Sequence, residues 1–352
     1  MLRNFLKASL LVVMVSLCVG APIVGAEGVM LNWTSPTTDW LRSVYMVSAD
    51  DGWAAGDGAT IIRWNGTDWS NVASPTWSVR SVFMVNASDG WAVGNGAVPW
   101  HWNGTSWSSV ASPTTGWLMS VFMVDASDGW AVGYNVLADR GTIIHWNGTS
   151  WSNVTSPTTE YLGSVFMVDA SDGWAVGRSG KIIHWDGTSW SNVTSPITAS
   201  WFWLNSVYMV NASDGWAVGN GGKIIHWDGT SWSSVASPTT EYLGSVFMVD
   251  ASDGWAVGDY GTIIHWDGTS WSNVASPTTE WLFSVSIVSP DDGWAVGANG
   301  TIIRWTGTEW IPEFPAAMPT LLLISVTLVS VIIAKTTLKR RRRPSLPNRT
   351  RQ

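Results

Sequence analysis

Seven positions in this chain carry either histidine or arginine directly before a tryptophan: Arg63, His101, His145, His184, His226, His265 and Arg304. All five histidines of the chain are in this set. A ring of imidazoles would suit a metal, but a guanidinium donates hydrogen bonds and does not ligate metals. Each position also has an aspartate upstream, at Asp51, Asp89, Asp128, Asp172, Asp214, Asp253 and Asp292. One Asp–His or Asp–Arg hydrogen bond per copy accommodates both residue types, so these are expected to be structural pairs without a metal. The stretch Asp125-Ala126-Ser127-Asp128-Gly129 has the look of a calcium loop. It lacks the alternating acidic spacing such loops need, and reads better as an Asx-stabilised turn.

A second set is aromatic. Trp40, Trp77, Trp117, Tyr161, Trp203, Tyr242 and Trp281 recur at one place in the pattern, and the residues just after them vary: Arg42, Arg80, Met119, Gly163, Asn205, Gly244 and Phe283. Near-identical copies that diverge at one place suggest contact with a partner there. The rings either plug neighbouring loops by packing or stack on a sugar or peptide; Arg42, Arg80 and Asn205 are the polar candidates beside them. No pair of placed carboxylates suggests glycoside hydrolysis, and no cofactor motif is present. The single cysteine, Cys18, lies in the leading apolar segment, so neither a disulfide framework nor a thiol nucleophile is expected in the mature chain.

The elements that must position these sets are repeats. A Gly-Trp pair recurs at Trp53, Trp91, Trp130, Trp174, Trp216, Trp255 and Trp294, at spacings of 38, 39, 44, 42, 39 and 39 residues. Each copy parses into four short strands. Strand a, such as Val165 to Val168, is apolar throughout and is expected to be buried on both faces. An Asp-Gly turn leads to strand b around Trp174, and strand c runs from Lys181 to Trp185. Asp186-Gly187 is expected to form a two-residue type I′ hairpin into strand d, from Ser189 towards Val193. Four-stranded units of ~40 residues are the signature of propeller blades, so the fold class is all-β, a seven-bladed β-propeller with one C-terminal transmembrane helix. Three tryptophans per copy account for 21 of the 29 and supply the core between blades.

Ring closure has two readings. Leu31 to Thr38 aligns with the end of a copy, so the N-terminal segment around Leu31 to Thr34 is expected to pair inside the last blade. In the alternative, Trp310 begins that strand and the N-terminal segment is an extra edge.

The ends address the chain. Arg3 and Lys7 precede an apolar stretch from Leu10 to Val19, and Val24-Gly25-Ala26 offers small residues at a cleavage point, so residues 1–26 read as an export signal. Residues 27–312 form the propeller, 313–315 a linker, 316–335 a transmembrane helix and 336–352 a basic cytoplasmic tail, including Lys339-Arg340-Arg341-Arg342-Arg343. The uncharged run from Ala316 to Ala334 would span roughly 28 Å as a helix, and the tail after it keeps the C-terminus inside and the propeller on the cell surface. Between Glu27 and Glu313 stand all 26 acids and only eight bases, a net charge of −18 before histidine. Such a surface is expected to repel nucleic acid and anionic lipid. Nine sequons in the exterior region, at Asn32, Asn65, Asn86, Asn103, Asn147, Asn153, Asn192, Asn211 and Asn299, are candidate glycan acceptors on an exported chain.

The motif Gly-Trp-Ala-Val-Gly, then Gly-Thr-Ile-Ile, then Asp-Gly with a nearby Trp, resembles the repeats of photosystem assembly-factor and sialidase-like (BNR) propellers. The likeness covers residues 31–310. Asp186-Gly187-Thr188-Ser189-Trp190 is shorter than the Asp-box of that group, and Trp185-Asp186 only mimics a WD repeat. The resemblance implies ligand sites where the d–a and b–c loops meet around the axis. Pro312-Glu313-Phe314-Pro315 resembles archaeal sorting tails of the PEF type, which implies cutting and re-anchoring by a membrane transpeptidase; a plain stop-transfer helix is the alternative. The expected function is a non-enzymatic surface propeller that binds a ligand, glycan or neighbouring protein. Alternatives are an exported sialidase-like glycosidase and an assembly chaperone for a membrane complex.

Overall fold

The computed structural model describes residues 34–312, except 74, 75, 136, 138 and 139. They form seven four-stranded antiparallel sheets, each joined in the order a-b-c-d. The first blade has strands Leu41–Ser48, Asp51–Gly56, Ile61–Trp64 and Trp69–Asn71. The seventh has Leu282–Ser289, Asp292–Gly297, Ile302–Trp305 and Trp310–Pro312. Inner strands touch their neighbours all the way round, including the first against the seventh, so the ring is closed. Among the described residues no helix is long and apolar enough to cross a membrane; the signal, Asn32, the 313–315 linker, the span at 316–335 and the basic tail lie outside them.

Of the second reading, the part that gives Trp310 the closing strand holds. Trp310–Pro312 pairs with strand c of its own blade, Trp305 facing Trp310 and Ile303 facing Pro312. Having its own outer strand, the last blade does not use Thr34 as one; Leu31 to Trp33 are outside the described residues. The N-terminal segment supplies the connection instead. A Cβ on Gly300 would collide with the Thr37 carbonyl, as one on Gly261 would with Thr278 in the preceding blade, so Ser35–Thr38 takes the place of a d–a linker.

Strand a is not buried on both faces. In Leu162–Asp169, Val165 and Met167 are buried between blades, while Ser164, Phe166 and Val168 are half-buried on the opposite side. Alternation at period two therefore splits each inner strand between the inter-blade core and the central channel. On the channel side, Tyr45, Phe83, Phe122, Phe166, Tyr208 and Phe247 follow one another at 4.7–4.9 Å between ring centroids. The serine layer beside them stitches the ring: each Oγ accepts the backbone N–H of a valine in the next blade, from Val82 on Ser43 to Val44 on Ser284, at 3.1–3.3 Å. In the seventh blade Ser286 replaces the channel aromatic and takes a second such bond, from Met46 N–H at 3.1 Å. The junction that joins the two ends of the chain thus carries one tie more than the others.

The core lies between blades. Trp174 of the fourth blade packs on Trp227 at 4.7 Å and edge-on to Trp232 at 5.5 Å, both of the fifth. The same triad closes the ring, with Trp294 against Trp64 and Trp69 at 4.8 and 5.4 Å. Each strand-c indole donates to the carbonyl at its a–b turn, as Trp227 does to Ala212 at 3.0 Å. Strand-d indoles such as Trp232 have no conventional acceptor. Their edge-to-face setting on another indole recurs round the ring and favours the positive ring edge against a π face.

The c–d hairpins are four-residue turns, not type I′. Trp185 pairs with Trp190, and only Gly187 has a positive φ, at 86°. The Asp186 carboxylate accepts N–H bonds from Thr188 and Ser189 and the Thr188 hydroxyl, at 2.6–2.9 Å. A side chain that caps two backbone N–H groups stabilises the longer loop. Asn65 does the same through Oδ1 in the first blade.

Candidate functional site

Strand parity sorts the loops to two rims. Turns a–b and c–d form one rim; the d–a linkers and b–c loops form the other. The histidine and arginine set stands at the first rim. Each histidine Nε2 lies 2.7–2.8 Å from the aspartate of its own a–b turn, from His101–Asp89 to His265–Asp253. Arg63 meets Asp51 through two bonds, at 2.8 and 3.1 Å, and Arg304 meets Asp292 at 2.8 Å. Each cation or imidazole also lies on the strand-b tryptophan of its blade; His184 sits 4.3 Å from Trp174 and Arg304 5.1 Å from Trp294. The arrangement orients one carboxylate and one ring per blade, and among the described residues no three potential metal ligands converge.

The aromatic set stands at the second rim, and six of its seven members share one position. The glycine ending strand b permits this. A Cβ on Gly56, Gly133 or Gly177 would collide with the carbonyl of Trp40, Trp117 or Tyr161. In the second blade that carbonyl belongs to Ser78, against Gly94. Trp77 is therefore one residue out of register: it packs over Gly96 and is 57% exposed. The linker into that blade is one residue short: Val79 follows Trp69 by 10 positions, where Leu118 follows Trp107 by 11, and the 38-residue spacing from Trp53 to Trp91 carries the same signal.

Around the mouth the rings join into contacts. Trp40 meets Trp281 at 5.9 Å and Phe283 at 5.6 Å, and Tyr161 meets Trp203 at 5.2 Å and Tyr134 at 5.8 Å. Arg42 lies over both Trp40 and Phe283, 4.7 and 4.5 Å from their centroids. Its guanidinium bonds Asp57 at 2.7 Å, and Arg80 reaches the same carboxylate at 3.6 Å while donating to Asn95 at 3.0 Å. One carboxylate thus holds two guanidinium groups. Burial and the neighbouring Arg42 lower the Arg80 pKa, opposed by Asp57.

The phenols face these cations across the channel. Burial raises the Tyr161 pKa while Arg80 pulls it down. Tyr242 is pushed up to about 12 by burial and then Asp259, with Arg42 opposing. Arg80 and Tyr161 are two blades apart, so these couplings trace a mouth on which several blades converge. Asn205 is otherwise engaged, donating to the Leu243 carbonyl at 2.8 Å. Met119, Gly163 and Gly244 add no polar group.

The described sequons fall into two groups. Asn65, Asn103 and Asn147 cap exposed c–d turns, and Asn86 and Asn211 cap a–b turns, each through Oδ1. The Nδ2 atoms of Asn153 and Asn192 instead donate to the Pro113 and Pro157 carbonyls, and that of Asn299 donates to Glu280.

Sequence reasoning missed the channel aromatics below this mouth and the serine stitches. Their signal is the period-two Ser-x-Phe-x-Val register within strand a.

Fold and mouth together define a seven-bladed β-propeller with an aromatic, arginine-bearing opening. No protein-family model matches the chain, and no curated protein matches it. Among solved structures it is similar to YCF48 bound to D1 peptide, at 19% identity and a TM-score of 0.63, over 77% of this chain and 94% of that one. YCF48 from Cyanidioschyzon merolae is similar at 18% identity and 0.63, over 77% and 96%. The RRP9 WD40 repeats match at 10% identity and 0.64, over 76% of this chain and 94% of that one. At these identities the likeness speaks for the fold alone.

Proposed function

We propose that this chain is a non-enzymatic cell-surface propeller that binds a peptide segment of a neighbouring protein at the d–a/b–c rim. The observation that carries it is the mouth itself, where Arg42 lies over Trp40 and Phe283, Trp281 packs on Trp40, Trp203 packs on Tyr161, and Arg80 shares Asp57 with Arg42. Flat rings beside guanidinium groups suit peptide side chains and carbonyls. The solved neighbour bound to a D1 peptide supports a peptide over a glycan. Export through residues 1–26, anchoring by residues 316–335, glycans on the turn sequons and a sorting role for Pro312 to Pro315 belong to the same proposal. The uncharged run and the basic tail after it support the anchoring.

A screen of the full chain in detergent against peptide and glycan arrays tests the ligand class. Peptide hits that weaken in Trp40→Ala support the reading; hits confined to glycans, or insensitive to the mouth, contradict it. The glycosidase reading has one observation in its favour. Burial and then the nearby Glu241 raise the Asp259 carboxyl, as a general acid requires. Glycoside hydrolysis lost in Asp259→Asn would establish it.

A further inference from the structure

The charge of −18 read from the sequence is not spread over the molecule. Among the described residues, the rim of a–b and c–d turns holds 17 carboxylates against Arg63, Arg304 and the five histidines. The opposite rim holds six carboxylates and six cations, Arg42, Arg80, Arg140, Arg178, Lys181 and Lys223. The exposed large apolar side chains sort the same way. Trp77, Trp117, Leu137, Trp201, Tyr260 and Trp281 all stand on the balanced rim, with Trp201 70% exposed and Tyr260 66%. Tryptophan and tyrosine at an exposed, charge-balanced surface are the residues that settle at the headgroup level of a bilayer.

The covalent path adds a third observation. The last strand runs from Trp310, beside Trp305 at the acidic rim, to Pro312, beside Ile303, and so heads for the aromatic rim. The chain leaves the propeller at that rim.

We infer that the aromatic rim docks on the phospholipid headgroup layer of the membrane that anchors the chain, with the acidic rim facing away. This rests on the anchoring reading above and deepens it: the peptide partner is then one presented at the membrane surface. Charge decides the orientation, because anionic headgroups repel the acidic rim and not the balanced one.

The chain's one cysteine, Cys18, leaves room for single-cysteine labelling of the full chain in a Cys18→Ser background. Trp201→Cys and Ala212→Cys place a fluorophore on the aromatic and acidic rims of the fifth blade; Trp77→Cys and Ala87→Cys repeat the comparison in the second. Each variant is reconstituted in vesicles of phosphatidylcholine and phosphatidylglycerol containing a headgroup-nitroxide lipid, and its thermal melt is compared with the parent. Docking predicts several-fold stronger quenching at 201 and 77 than at 212 and 87. Equal quenching on both rims, in chains that float with the vesicles, overturns docking and leaves the anchor standing. Chains that do not float overturn the anchor and docking together. A disulfide between two chains at Trp201→Cys in these vesicles, with a dimer on a non-reducing gel, assigns the rim to a second copy and also overturns docking.

Discussion

At the rim of a–b and c–d turns, all seven blades build one unit: a carboxylate, its histidine or arginine, and the tryptophan beneath. At the opposite rim the register slips at Trp77, strands b and c of the third blade extend to Asn135 and from Arg140, and the residue after the aromatic changes from blade to blade. The same backbone serves both rims, so the difference lies in what each is asked to hold. The regular rim satisfies its own polar groups within each blade. The irregular rim leaves rings and charges directed at the axis and at solvent. Its variation is where recognition of something outside the propeller has room to arise.

The largest expected effect is on neither rim but on the core that joins them. Trp174→Ala removes a ring packed on two tryptophans of the next blade and should lower stability by about 3–5 kcal/mol, read by denaturant unfolding. A loss below ~1 kcal/mol would mean that the triads do not hold the blades together. At the aromatic rim, Trp40→Ala should weaken peptide binding by about 2 kcal/mol in a titration. Arg42 stacks on that ring, so the loss should exceed that of Met119→Ala. At the regular rim, His184→Gln should lower stability by about 1 kcal/mol and leave affinity alone.

The smallest effect sharpens the regular rim. Hydrogen bonds from Thr188, then from the Ser189 and Thr188 backbone, hold the Asp186 carboxyl at about 2, against 3.8 for the free group. Asp228 and Asp267 are held at about 2 in the same way. These are depressed carboxyls, so what they contribute is present above pH 3.8 and is lost as pH falls towards about 2. The first three blades make the same turn with Asn65, Asn103 and Asn147, which do not titrate. Replacing Asp186, Asp228 and Asp267 by Asn, in a host that does not glycosylate, should flatten the fall in melting temperature across that window. An unchanged fall would place the acid sensitivity elsewhere.

Much of the fold was legible because repetition multiplies weak signals. Seven Gly-Trp pairs gave the blade count, and arginine standing in for histidine pointed to hydrogen-bonded pairs before any distance was known. Other features depend on which way a strand runs, which spacing along the chain does not express. The net charge concealed a split between rims, because successive turns alternate ends. Strand a looked wholly apolar because Phe166 faces a channel formed only when seven blades close. Asp186-Gly187 looked like a tight hairpin because the capping bonds of its carboxylate reach two residues beyond it. Leu31 to Thr34 looked like a closing strand because it copies the end of a blade, whereas Trp310 already fills that place.

The central claim is that recognition belongs to the irregular rim and stability to the regular one. The most direct test is a peptide titration and a thermal melt on the same preparations of Trp117→Ala and His184→Gln. Trp117 is 46% exposed, so its loss should weaken binding with little change in the melt, and His184→Gln should do the reverse. Lost binding in His184→Gln with intact binding in Trp117→Ala would contradict the account and move the site to the strand-c ring.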